Sequence, residues 1–287
     1  MMFGVTVTDP AREVYPNAPL VLVATEVRHP AAEPLNGQQQ AALKRALAKE
    51  FPLSNPATIT KVTQVVGGPP QVTQSTAPRF TSRDRTTSIT YHAGALVLET
   101  TRYAHFERLT ELLMLAVAAR LEVGELDGLE RVGLRYIDEI RVPNLGDIDE
   151  GGTGWDAWLD RSLLGPAPIG GSLGLHAGQW QGLVVFNQVP TLGTDADTKG
   201  SDSLVLRYGP GEGYALDPGG ELKRPTPPPG PFFLLDIDSF WTSGSVVPPL
   251  DPQELASTAA RLHDPVRGLF ESLITERLRE AVLRDAN

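Results

Sequence analysis

Twice along its length the chain sets a strand, a short helix and several alternating strands ahead of a long helix, and that order limits the folds open to it. The first strand is PLVLVATEVRHP, Pro19 to Pro30, bounded by prolines. NGQQQAALKRALAKEF follows as a helix, with Asn36 as N-cap and Leu43, Leu47 and Phe51 on one face. ATITKVTQVVGG, Ala57 to Gly68, alternates as a strand. Pro78 to Tyr103 reads as consecutive strands, with a tight turn at His92-Ala93-Gly94. His105 to Leu121 is an apolar helix burying Phe106, Leu109, Leu113, Val117 and Leu121, and a strand over 130–143 closes the half.

The second half has a short helix at Gly154–Gly165 and strands within Leu173–Gln188, Ser201–Gly209 and Pro231–Ser243. It becomes helical from Asp251 onward. Asp251-Pro252 and Asp264-Pro265 both carry the N-cap-plus-proline signature, which predicts a break or a kink near His263. The apolar positions Val266, Leu269, Phe270, Leu273, Ile274 and Leu278 then form the stripe of a final helix, Asp264 to about Leu283. Two loops are rich in Gly and Pro: Gly146–Gly154, which joins the halves, and Gly209–Pro231.

The fold class is therefore α+β. A β-α-β(3–4)-α unit used twice predicts one curved antiparallel sheet with the long helices on one face, by analogy with the TATA-binding-protein-like fold. The alternative is a helix-grip fold, in which a single sheet wraps the C-terminal helix. In domain terms, 1–13 is a flexible tail, 14–145 the first half and 146–287 the second. The sheet is expected to run through both halves as one domain.

Composition narrows the chemistry. The chain is 41% hydrophobic and 21% charged, which suits a packed globular protein. A net charge of -10 and a pI near 5.0 disfavour nucleic acid, whose phosphates call for a basic stripe. The sequence has no cysteine, so thiolate metal sites, disulfides and a cysteine nucleophile are excluded. Its five histidines show no HxH or HxxxH spacing, and no metal or cofactor is implied. GPGEG lacks the Lys-Ser/Thr of a phosphate loop, and no GxSxG elbow occurs. Neither a secretory signal nor an apolar run of spanning length is visible, so the expected location is the cytoplasm, with no membrane partner.

Two strands carry carboxylates in unusual places. In VGLRYIDEIRVP, strict alternation puts Val132, Leu134, Tyr136, Asp138, Ile140 and Val142 on one face. Asp138 interrupts an apolar row. Adjacent apolar Tyr136 and Ile137 suggest a β-bulge that turns Asp138 outward. The functional alternative makes it a ligand hook beside Arg135 or Tyr136. In FFLLDIDSF, Asp236 and Asp238 share a phase about 7 Å apart, suited to a metal with further ligands, to acid/base work or to a solvated, salt-bridged face. Arg207, on a neighbouring strand, is the expected partner. Arg135, Tyr136, Asp138, Arg207, Asp236 and Asp238 are thus the candidate ligand-binding residues, and no catalytic residue is assigned. Trp155 and Trp158, three apart, are expected to be core or interface anchors.

Three segments, GLRYIDEI (Gly133–Ile140), LLDIDSF (Leu234–Phe240) and LHDPVRGLFESLITERLRE (Leu262–Glu280), together resemble the bacterial family described as "sporadically distributed protein". The resemblance implies a similar length and architecture over nearly the whole chain. It implies no reaction and no catalytic residues. Asparagine is the commoner residue there at the position of Asp138. The expected function is a non-enzymatic protein-binding or adaptor module, whose partner is another protein or a second copy. The alternative is a small-molecule binder or enzyme with a cavity between the sheet and the C-terminal helix.

Overall fold

A computed structural model describes residues 14–63, 70–145, 153–187 and 200–284. The expected tail, 1–13, and residues 146–152 of the expected joining loop lie outside the described residues.

The fold is α+β, built on a large antiparallel sheet. Its nine strands run in the order β2 (Leu53–Ser54), β5 (Arg79–Thr81), β6 (Thr87–Tyr91), β7 (Ala95–Thr100), β1 (Leu20–Arg28), β8 (Arg131–Ile140), β11 (Gly230–Thr242), β10 (Ser201–Gly213) and β9 (Gly182–Asn187). The first half of the sequence supplies six of these strands and the second half three, joined where β8 pairs with β11. β3 (Ala57–Thr63) and β4 (Gln71–Ala77) form a separate hairpin. β4, QVTQSTA, is almost wholly polar, so it lacks the alternation that marks a strand.

The chain groups into two compact units. One comprises Leu20–Arg141 and Gly178–Glu271 and holds the whole sheet. Within it, α1 (Gly37–Leu47) opens on the expected Asn36 cap, completed by Gln39 into a capping box. α2 (Phe106–Glu122) buries Leu109, Leu113, Ala116 and Val117. The Tyr91 hydroxyl donates to the Ala116 carbonyl of α2 at 3.0 Å, and Tyr136 meets His263 of α4 (Pro252–Leu273). Strand register places Tyr91 and Tyr136 on the same face, so both long helices lie on one side of the sheet.

Two expectations for this unit are corrected. α4 does not break at His263; it runs through Pro265 to Leu273. Asp264 is therefore inside the helix and is no cap. The buried side chains of α4 are Leu255, Ala259, Leu262, Val266 and Leu273, so the apolar stripe continues upstream of the expected one on the same face; of the six expected positions Val266, Leu273, Ile274 and Leu278 are buried, while Leu269 and Phe270 are half-buried. GPGEG is likewise strand rather than loop. It pairs residue by residue with Gly230–Leu234, and Gly209 and Gly213 supply φ values of +157° and +85°.

Among the described residues, the other unit gathers 14–19, 142–145, 153–177 and 272–284. The helix expected at Gly154–Gly165 is instead a series of turns with one 3-10 turn at Arg161–Leu163. Leu159 forms a single β-bridge with Ile274, which ends the C-terminal helix there. Thr275 then caps a new turn at Glu276–Leu278 and donates its hydroxyl to the Ala157 carbonyl at 2.9 Å. Trp155 and Trp158 are buried here, as expected of anchors. The Trp158 ring lies under the Arg277 guanidinium at 4.4 Å, and its Nε1 donates to the Asn144 carbonyl at 3.1 Å. The short α3 (Ile169–Ser172) belongs to the same unit.

Candidate functional site

The sheet separates the six candidate residues into two groups. β8 pairs with β11 over ten unbroken positions, from Arg131↔Thr242 to Ile140↔Phe233. Alternation along β8 is therefore strict, and Tyr136 and Asp138 point to the helix-bearing face. Arg135 points to the other face, where register adds Arg207, Asp236 and Asp238. One pocket cannot be built from all six.

The face without helices is a lattice of ion pairs. Asp236 is buried beneath Arg135, which grips it with Nε at 2.7 Å and Nη2 at 2.8 Å, while Arg207 approaches from the other side at 3.4 Å. The expected partner, Arg207, is thus the weaker of two. Asp238 accepts from Arg131 at 3.2 and 3.3 Å, and Arg131 also pairs with Glu26 and stacks 4.4 Å over the Phe240 ring. Burial holds the Asp238 carboxyl above its ordinary value despite Arg131. Farther along, buried Glu139 takes hydrogen bonds from Arg141 at 2.9 Å and from the Ala215 backbone at 2.7 Å. Arg224 approaches it at 3.6 Å. Carboxylates committed in this way are poor general bases, because each proton gained would break a charge-assisted bond. Arg131, Glu26, Glu139 and Arg224 were missed in the sequence, since cross-strand pairs become visible only once register is known.

On the opposite face Asp138 stands alone. It is 5% exposed, between Leu20 on β1 and Leu235 on β11. No described residue donates a hydrogen bond to it or pairs with it. Burial alone raises its pKa to about 7. The outward-turning bulge expected in β8 is therefore absent. The irregularity lies in β1, between Leu20 and Leu22, directly opposite Asp138 and Ile137. Tyr136 and Ile137 are both apolar because both faces of the sheet are covered there, each being 5% exposed.

Tyr136 belongs to an aromatic cluster. Its hydroxyl meets His263 Nδ1 at 3.0 Å, His263 stacks on Phe106 at 4.2 Å and 2°, and Tyr103 packs edge-on against Tyr136 at 5.8 Å. Burial raises the Tyr136 phenol well above its ordinary value and Tyr103 to about 12, so both remain neutral donors. Tyr103 also lines an open cleft of about 300 Å³ with Glu50, Asp84, Arg102, His105 and Arg108. The cleft lies by the N-terminus of α2, not between the sheet and the C-terminal helix. Among the described residues no group of three or more His, Asp or Glu is placed to hold a metal, and no helix is long and apolar enough to cross a membrane.

The most unusual surface is β9. It is the outermost strand of the sheet, and no described residue pairs with its outer edge. Leu183, Val184, Val185 and Phe186 are 62%, 37%, 50% and 44% exposed, so both faces of the strand offer apolar side chains to solvent. Most sheet edges are blunted by charge, proline or brevity, and Gly182–Asn187 has neither a charge nor a proline. The opposite edge, β2, is two residues long. No protein-family model matches the chain, and no curated protein matches it.

Proposed function

We propose that the chain is a protein-binding or adaptor module that captures its partner by strand addition along β9. The observation that carries this reading is the six-residue uncharged edge with four exposed apolar side chains. Backbone groups along such an edge supply affinity, and alternate side chains supply selectivity. Strand addition also agrees with the self-neutralised carboxylates of the charged face, which leave little for catalysis. The finer architecture belongs to the same proposal: a duplicated, TATA-binding-protein-like plan in which each half ends in a long helix, in a cytoplasmic bacterial protein of the "sporadically distributed" family.

The test is selection from a displayed library of peptides of about ten residues. Peptides with alternating apolar residues should be enriched on the wild-type chain and lost on Val185→Lys. Equal enrichment on both would place binding elsewhere.

The cleft near the N-terminus of α2 favours a second reading, a small-molecule binder. Its lining combines hydroxyls (Ser82, Thr86, Thr87, Thr100), carboxylates (Glu50, Asp84) balanced by guanidinium groups (Arg102, Arg108), His105 and the Tyr103 ring. That mixture suits a polar, uncharged ligand. A metabolite panel that raises the melting temperature of the wild type but not of Asp84→Ala would support it.

A further inference from the structure

Resting on the protein-binding reading, we infer that the partner seated on β9 is a second copy of the chain, joined antiparallel across a two-fold axis perpendicular to the sheet. That axis is the symmetry by which an edge strand can pair antiparallel with its own copy. It keeps like face against like face. Val184 and Phe186 lie on the helix-bearing side, in register with Leu206 and Leu204 of β10, and meet their equivalents there. On the other side Val185 meets its own equivalent, with Leu183 opposite Asn187. Apolar side chains therefore meet apolar side chains on both faces, and the edge is complementary to itself.

Charge points to the same occupant. Two copies each carrying a net charge of -10 repel over most of their surface. Gly182–Asn187 is uncharged, so pairing there brings no like charges together. A charged peptide would find no counter-charge on the strand itself.

The area sets the strength. Six paired residues fall at or below the roughly 1,200 Å² usual for stable interfaces, so the dimer is reversible. Monomer and dimer both exist over an accessible concentration range, and a monomer keeps its edge open to other strands.

Sedimentation velocity from about 1 to about 200 μM tests this on the full chain. The wild type should shift from monomer to dimer. Val185→Lys and Val185→Glu, at a half-exposed position, should each remain monomeric with unchanged melting temperature and circular dichroism. A register centred on Val185 sets the two substituted residues side by side, so an equimolar mixture of the two variants should dimerise at least as tightly as the wild type. Dimerisation that persists in either single variant would overturn the inference. So would a wild type that stays monomeric throughout. If that monomer still selects apolar peptides, the second copy is wrong and strand addition stands. If it selects none, both fail.

Discussion

Arg135 holds Asp236 across the β8–β11 pair by two near-parallel hydrogen bonds, 2.7 Å from Nε and 2.8 Å from Nη2. The Asp236 side chain is 5% exposed, while the arginine side chain is nearly half exposed. The guanidinium therefore acts as a lid on a buried charge. Asp236 also lowers the energy of the charged guanidinium, so the Arg135 pKa is raised.

This geometry ranks the two arginines. Replacing Arg135 leaves Asp236 with one contact at 3.4 Å, from Arg207. Arg135→Met should cost about 1–3 kcal/mol, as for a lost charge-assisted pair to a buried group. Arg207→Met should cost under about 1 kcal/mol, in the range of half-exposed ion pairs. Urea denaturation at neutral pH and low salt measures both. Equal losses would mean that Arg207 shares the carboxylate more fully than the distances indicate.

The long C-terminal helix gives a second ranking. Leu262 is 1% exposed on the helix face that also buries Leu255, Ala259 and Val266, whereas Phe270 is half-buried. Leu262→Ala should destabilise by about 2–5 kcal/mol, through lost transfer energy and a residual cavity. Phe270→Ala should cost only about 1–2 kcal/mol, since much of its ring already meets water. A denaturant midpoint lower for the phenylalanine variant than for the leucine variant would reverse the assignment of the buried stripe.

What could be read from the sequence was periodic and local. Asn36 and its helix, the strands with clean alternation and the two tryptophan anchors all rest on neighbours within a few residues. Polar β4 had no alternation to read. GPGEG has turn composition, yet thirteen paired residues override it. Asp264-Pro265 carries a capping signature, but Thr275 is the residue whose side chain caps a turn, because Leu159 ends the preceding helix by bridging Ile274. The candidate site was half legible for the same reason. Asp236 could be placed on a salt-bridged face, but its main partner depends on register between strands about a hundred residues apart. Asp138 was misread because two adjacent buried residues look alike whether a strand changes phase or is covered on both sides.

Asp138 also makes stability depend on pH, with a sign opposite to that of a salt-bridged aspartate. Its pKa in the folded chain is about 7, against an ordinary value of 3.8. Between those values the folded state retains a proton that the unfolded chain has released. Stability from this group is therefore fully present below about pH 4, where the carboxyl is protonated in both states. It falls as pH rises from about 4 to about 7, and is level beyond. An asparagine side chain in its place would resemble the neutral acid in size and polarity at every pH. Asp138→Asn should accordingly match the wild type near pH 4 and exceed it at pH 8, by an amount on the order of 2–4 kcal/mol. An outward-turned, solvated carboxylate would instead leave the substitution near neutral at every pH. Urea denaturation of both proteins at several pH values between those limits isolates the effect, because other titrating groups cancel in the difference. A difference that does not change with pH would show that water or a cation reaches the carboxylate in the folded chain. One that favours the wild type at pH 8 would give Asp138 a charged partner after all.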